Sequence, residues 1–141
     1  MSDKFFLDTN IFVYSFDESV PEKLDRSRQL INYALQSSNG LISIQVVQEF
    51  LNAATYKFST PMSLTDSQRY LRQVLNPLCQ VYTDLPLLEN GLSIRDETGY
   101  PFYDSLILAA AIKANCAVLY SEDLRHGQLV RGVKIVNPYL E

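Results

Sequence analysis

Short apolar runs that stop abruptly on polar residues alternate along this chain with longer stretches in which apolar residues recur every three or four positions. The first run, "KFFLD" at residues 4–8, reads as a short buried strand ending in turn-forming residues. A helix is predicted over "PEKLDRSRQLINYALQSSNG". Pro21 suits a first helical position, Glu22 complements the helix dipole, and Leu24, Leu30, Ile31, Ala34 and Leu35 fall near one face. Asn39-Gly40 is the expected stop. "LISI", Leu41 to Ile44, reads as a second strand, followed at once by a helix through "QVVQEFLNAATYKF".

Further along, Thr65-Asp66-Ser67-Gln68 has a capping-box pattern ahead of a helix with Tyr70, Leu71, Val74 and Leu75 on its apolar side. "CQVY" reads as a third short strand, and "PLLENGLSIRDETG" as a helix closed by Gly99. The Ala- and Leu-rich "YPFYDSLILAAAIKANC" is the clearest helix. "AVLYSED" is a buried strand that again runs into acids, and "VKIV" is expected as a last strand at the sheet edge. Strands alternating with helices predict an α/β fold, a central, mainly parallel β-sheet flanked by helices on both faces. The 141 residues suit a single domain over 1–141, with no linker and no internal repeat.

Composition changes this picture little: 47% hydrophobic and 20% charged is ordinary for a globular chain. The net charge of −4 argues against nonspecific coating of nucleic acid by a basic surface. It is compatible with an enzyme that holds a phosphodiester through a bound cation. Cys79 and Cys116, both in apolar runs, are expected as buried free thiols. The start "MSDKFF" lacks the pattern of a signal peptide, and no apolar run is long enough to span a membrane. The expected location is cytoplasmic.

Four acids stand out by position. In open α/β sheets, ligands bind beyond the carboxyl ends of the strands. Asp8 directly follows the first strand, Asp123 follows the "AVLY" strand, Asp104 opens the helix leading into that strand, and Glu49 lies one to two turns into the helix after the second strand. Taken singly, each has an ordinary explanation: a turn residue, a solvated helix position, an acid at a helix N-terminus, a loop residue. Taken together, four unrelated acids have no reason to fall at one sheet edge. Crowded carboxylates favour a hard divalent cation between them, Mg²⁺ or alternatively Mn²⁺. Zinc fits poorly, since the chain has one His and its cysteines lie elsewhere.

"DTNIFVY" (8–14), "QVVQEF" (45–50), "FYDSLILAAA" (102–111) and "LYSEDL" (119–124), in this order and spacing, resemble a PIN-domain ribonuclease, most closely the VapC-type toxin of type II toxin–antitoxin pairs. The resemblance covers essentially the whole chain. It implies a single PIN-like nuclease domain and a Mg²⁺-dependent endoribonuclease, a hydrolase acting on RNA. It matches Asp8, Glu49, Asp104 and Asp123 to the catalytic, metal-binding acids, and it implies a small antitoxin partner and a homodimer. Ser121 stands where the family often has Ser or Thr, two residues before the last acid, and Asn10 matches its common polar residue after the first. Thr9, Asn10 and Ser121 are expected to support the acids by hydrogen bonding.

Other readings stay open at this level. A phosphatase with Asp8 as covalent nucleophile would expect a second Asp two residues on, where this chain has Asn10. A non-catalytic binding module of the same fold would have no need of all four acids. A stand-alone RNA-processing nuclease is the nearest alternative. Tyr100, Phe102 and Tyr103 are the aromatics expected near the site, the stretch Phe12–Tyr14–Phe16 is a candidate contact surface, and His126 reads as a surface loop residue.

Overall fold

The structure, a computed structural model, describes residues 3–140. Its sheet has six strands: β1 (Phe5–Leu7), β2 (Gly40–Ser43), β3 (Cys79–Val81), β4 (Val118–Tyr120), β5 (Leu129–Val130) and β6 (Val133–Val136), in the order β3-β2-β1-β4-β6-β5. Every pairing is parallel except that of β5 with β6. Seven α-helical segments are described: α1 (Thr9–Tyr14), α2 (Pro21–Ser37), α3 (Ile44–Asn52), α4 (Leu64–Tyr70), α5 (Asn76–Leu78), α6 (Leu85–Thr98) and α7 (Phe102–Lys113). All residues of β1 and β2 are buried, as expected when helices cover both faces of a parallel sheet. The expected α/β architecture is therefore the observed one. No helix among the described residues is long and apolar enough to cross a membrane.

Several boundaries differ from the sequence reading, each for a local reason. Asp8 does not open a turn. It caps α1, accepting a hydrogen bond from the Thr9 amide at 2.7 Å, so Thr9 and Asn10 are the first helical residues. Ile44 begins α3 rather than ending β2, because the Ser43 hydroxyl accepts from the Val46 amide. The cap of α4 is Ser63, which accepts from the Asp66 amide at 3.1 Å, two residues before the predicted box. Helix α2 ends on Ser38 in the left-handed region, φ 63°, while Gly40 belongs to β2. Gly40 is required by packing: a Cβ there would lie 2.3 Å from the Ala34 Cβ. Gly99 closes α6 as expected, at φ 79°.

"VKIV" is not the edge strand. β6 lies between β4 and the short β5, which the sequence pattern did not suggest. Cys116 is buried but Cys79, on the edge strand β3, is only half-buried; both are free. The helix expected through residue 58 changes pitch after Asn52 into a wide π-helical turn, Ala53–Lys57. A second such turn, Leu71–Leu75, continues α4. Across the first turn Phe58 meets Phe50, with ring centroids 6.0 Å apart. Phe16 and Tyr70 complete this aromatic cluster, their rings 5.2 Å apart. Phe12, offered by the sequence as a contact surface, is fully buried, while Phe16 is 38% exposed.

Candidate active site

The topology brings the acids to one end of the sheet. β1 lies between β2 and β4, all parallel, so the residues following these three strands are neighbours. Asp8 follows β1, α3 with Glu49 follows β2, and the 121–123 segment follows β4. Helix α7 runs back along the sheet before β4, which returns its first turn, with Asp104, to the same end. Asp8, Glu49, Asp104 and Asp123 all line one cleft of about 1340 Å³.

Neutral hydrogen-bond donors hold three of the four carboxylates. Asp8 is buried; its Oδ1 accepts from the Thr9 amide and its Oδ2 from the Ser121 hydroxyl at 2.7 Å. The Thr9 hydroxyl donates to Glu49 Oε1 at 2.6 Å, and the Gln45 amide donates to Glu49 Oε2 at 3.3 Å. Asn10 Nδ2 donates to Asp123 Oδ2 at 2.8 Å. The Asp123 amide in turn donates to the Ser121 hydroxyl at 3.2 Å. Thr9, Asn10 and Ser121 therefore each touch an acid of the cleft. The Asp104 carboxylate accepts no hydrogen bond among the described residues.

The electrostatics follow from burial and like charge. Burial pushes the Asp8 carboxyl up to about 7, against the lowering effect of the Ser121 and Thr9 donors, and the charges of Asp123 and Glu49 add to the rise. Asp104 is raised by desolvation and then by Asp123 and Glu49. Asp123, exposed as a residue, is still raised by partial desolvation in the cleft, then by the charges of Glu122 and Glu49, with Asn10 opposing. No lysine or arginine forms an ion pair with any of the four among the described residues.

The four acids offer carboxylate oxygens to the cleft, the donor type that suits a hard cation. Among the described residues no three acidic, histidine or cysteine side chains come close enough to cage an ion by themselves. Hydrogen bonding does not disqualify Asp8, because each carboxylate oxygen retains a second acceptor site.

Beyond the acids the cleft runs to residues the sequence reading did not place there. Phe16, Lys57, Phe58 and Met62 line it, and Lys57 is its one basic lining residue among those described. Tyr100, Phe102 and Tyr103 do not line it, nor do Arg69, Arg95, Lys113 or Arg125. His126 is exposed and accepts from the Asn137 amide through Nδ1, away from the acids. Gln45 was also missed. Its i,i+4 spacing to Glu49 was the available signal, but a glutamine in an apolar stretch reads as surface until its burial is seen.

A search of curated proteins finds no match. Among solved structures, the fold is similar to a toxin–antitoxin complex from Klebsiella pneumoniae, at 20% identity and a TM-score of 0.67 over 96% of this chain and 98% of that one. A DNA-bound VapBC from Salmonella typhimurium is similar at 21% identity, with a TM-score of 0.64 over 96% and 97%. The sarcin–ricin loop cleaving VapC toxin of Mycobacterium tuberculosis is similar at 17% identity, with a TM-score of 0.59 over 85% and 90%. At these identities the likeness concerns the fold. The PIN domain family model matches residues 5–131, a span that begins in β1, ends just past β5 and holds Asp8, Glu49, Asp104 and Asp123, and so the chain belongs to the PIN-domain family.

Proposed function

We propose that this protein is a divalent-metal-dependent endoribonuclease and the toxin of a toxin–antitoxin pair, acting in the cytoplasm with RNA as its substrate. The observation that carries the reading is the convergence of Asp8, Glu49, Asp104 and Asp123 on one cleft, where no lysine or arginine among the described residues forms an ion pair with any of them. The toxin assignment rests on the fold likeness to toxin–antitoxin complexes and to a toxin that cleaves the sarcin–ricin loop. A small antitoxin protein and a second copy of the chain are the proposed partners.

Asp8, Asp104 and Asp123, with Glu49 as a fourth group, would hold Mg²⁺, or Mn²⁺ in its place. When bound, the cation supplies a water of lowered pKa and neutralises charge on the phosphate. The protein's own contribution is positional. Ser121 and the Thr9 amide fix the Asp8 carboxylate, and Asn10 fixes that of Asp123. Glu49, held on both oxygens, orients the attacking water, which adds to phosphorus as the P–O bond to the leaving ribose oxygen breaks and that oxygen takes up a proton. The aspartyl-phosphate alternative lacks its second Asp: that position is Asn10, committed to Asp123.

Purified protein incubated with a mixed RNA pool tests the reading. Cleavage is expected with Mg²⁺ or Mn²⁺, abolished by chelator and by Asp104→Asn. Chelator-resistant cleavage, or an active Asp104→Asn, overturns the mechanism. Copurification with a small co-expressed partner tests the toxin assignment separately.

A further inference from the structure

Gln45 is a buried side chain with an unusual accounting. It is 6% exposed, sits in the first turn of α3, and does not line the cleft. Its Nε2 donates to Glu49 Oε2 at 3.3 Å and to the Tyr103 carbonyl at 3.1 Å. Its Oε1 is buried and is the one buried side-chain polar atom without a hydrogen-bond partner among the described residues. A buried unpaired acceptor carries an uncompensated desolvation cost. The amide cannot escape by turning over, because both neighbours are acceptors, and a flip would face Oε1 toward a carboxylate and a carbonyl.

What those two bonds accomplish is a link. Tyr103 precedes Asp104 in the first turn of α7, and Glu49 lies one turn beyond Gln45 on α3. One amide nitrogen therefore ties the Glu49 carboxylate to the backbone that carries Asp104. The Thr9 hydroxyl secures the other Glu49 oxygen from α1. Since the Asp104 carboxylate has no hydrogen bond among the described residues, its place depends on where the first turn of α7 sits.

We propose that Gln45 is a positioning residue for the nuclease site: its amide, bridging Glu49 and the Tyr103 carbonyl, fixes α3 and α7 so that Glu49 and Asp104 present their carboxylates in one arrangement. This rests on the nuclease reading above. Gln45 does not line the cleft and acts through Glu49 and the first turn of α7. A neutral amide suits the task because it donates to a carboxylate without the positive charge that would compete with a bound cation.

The test is a double-mutant cycle on the full chain. Gln45→Met keeps the side-chain length and removes both donors; Glu49→Gln removes the charged acceptor. Gln45→Met should lower kcat for RNA cleavage by about 10-fold to 100-fold, as loss of a group supporting a metal-site acid does, with KM within about twofold. In the Glu49→Gln background the same change should cost clearly less than in the wild-type chain, because the part of its effect that runs through the Glu49 charge is already gone. Gln45→Asn, too short to reach both acceptors, should behave like Gln45→Met. Multiplying effects of the two changes, a wild-type kcat in Gln45→Met, or loss of cooperative melting in both Gln45 variants overturns the proposal. A second arm does not depend on RNA: the rise in melting temperature on adding Mn²⁺ should shrink in Gln45→Met. If the wild-type chain cleaves no RNA, the nuclease reading falls and this arm decides alone. An undiminished Mn²⁺ shift in Gln45→Met, or no shift in the wild type, then overturns the positioning role.

Discussion

Glu122 and Asp123 are adjacent in sequence and belong to opposite regimes. Glu122 accepts a hydrogen bond from Tyr14 at 2.8 Å and forms an ion pair with Lys23, whose ammonium also lies 4.6 Å from the Tyr14 ring centroid. Tyr139 closes this cluster through a 2.6 Å hydrogen bond with Ser27 and an edge contact with Tyr14. Together these contacts fasten α1, α2, the segment after β4 and the C-terminal residues. One residue on, the Asp123 carboxylate receives, among the described residues, the neutral Asn10 amide alone, and the charges of Glu122 and Glu49 act on it. At Glu122, a carboxylate that joins elements of the fold is neutralised by Lys23. Where Asp8, Glu49, Asp104 and Asp123 meet in the cleft, neutral donors hold three of them, and no lysine or arginine among the described residues forms an ion pair with any of the four, which raises the cost of their mutual repulsion.

The largest effect that would sharpen this contrast is on catalysis. Replacing Asp8, Asp104 or Asp123 by Asn should remove several kcal/mol of transition-state stabilisation, on the order of a thousandfold in kcat. Glu122→Gln should change kcat by less than about threefold, since its effect passes only through stability. Steady-state cleavage rates of the variants check this. Equal losses at positions 122 and 123 would erase the distinction.

Stability against pH comes next. The Asp8 carboxyl is raised by burial from 3.8 in the unfolded chain to about 7 in the native state, so the native state binds more protons between these values. The stability associated with that proton is fully present below the unfolded value and is lost as pH rises through about 7. At about 1.36 kcal/mol per pKa unit, the metal-free protein should lose at most on the order of 4 kcal/mol on this account. Asp8→Asn should flatten the dependence. Urea denaturation in chelator at pH 4.5 and pH 8 measures it, and a wild-type chain equally stable at both would show that Asp8 is not a strained acid.

Metal should reverse that loss. A cation that binds only the native state adds about 2.7 kcal/mol at a hundredfold excess over its dissociation constant. Asp104 is likewise raised by desolvation and by Asp123 and Glu49, so Asp104→Asn should raise the stability of the metal-free protein and reduce the Mg²⁺-induced gain in thermal melts. Destabilisation with an intact metal response would make Asp104 an ordinary acid of the helix N-terminus.

The smallest effect belongs to the neutralised region. Lys23→Met should cost about 1 kcal/mol, because the pair is only partly shielded and Glu122 keeps its Tyr14 hydrogen bond. It should leave the Mg²⁺ gain unchanged. A loss of metal response in this variant would join the two regions that the charge pattern separates.

Much of this arrangement was legible in the chain before folding was considered. The strand–helix alternation and the positions of Asp8, Glu49, Asp104 and Asp123 relative to strand ends are local properties, written by apolar periodicity and by the rule that ligands gather at carboxyl ends of parallel strands. A parallel order of β2, β1 and β4 then makes the meeting of these acids a consequence of topology. Boundaries were less legible, because capping by Asp8, Ser43 and Ser63 depends on which backbone amide each side chain reaches. The partnerships within the site lay further out of reach. Thr9 with Glu49, Asn10 with Asp123 and Ser121 with Asp8 join residues 40, 113 and 113 positions apart. No local pattern encodes such pairs; they exist only once the sheet has set the strand ends side by side. The same holds for the burial of Gln45 between Glu49 and Tyr103, and for the placing of Phe16, Lys57 and Phe58 along the cleft. Periodicity tells which side of an element is apolar, whereas the neighbour that a polar side chain finds there is decided by the packing of elements distant in sequence.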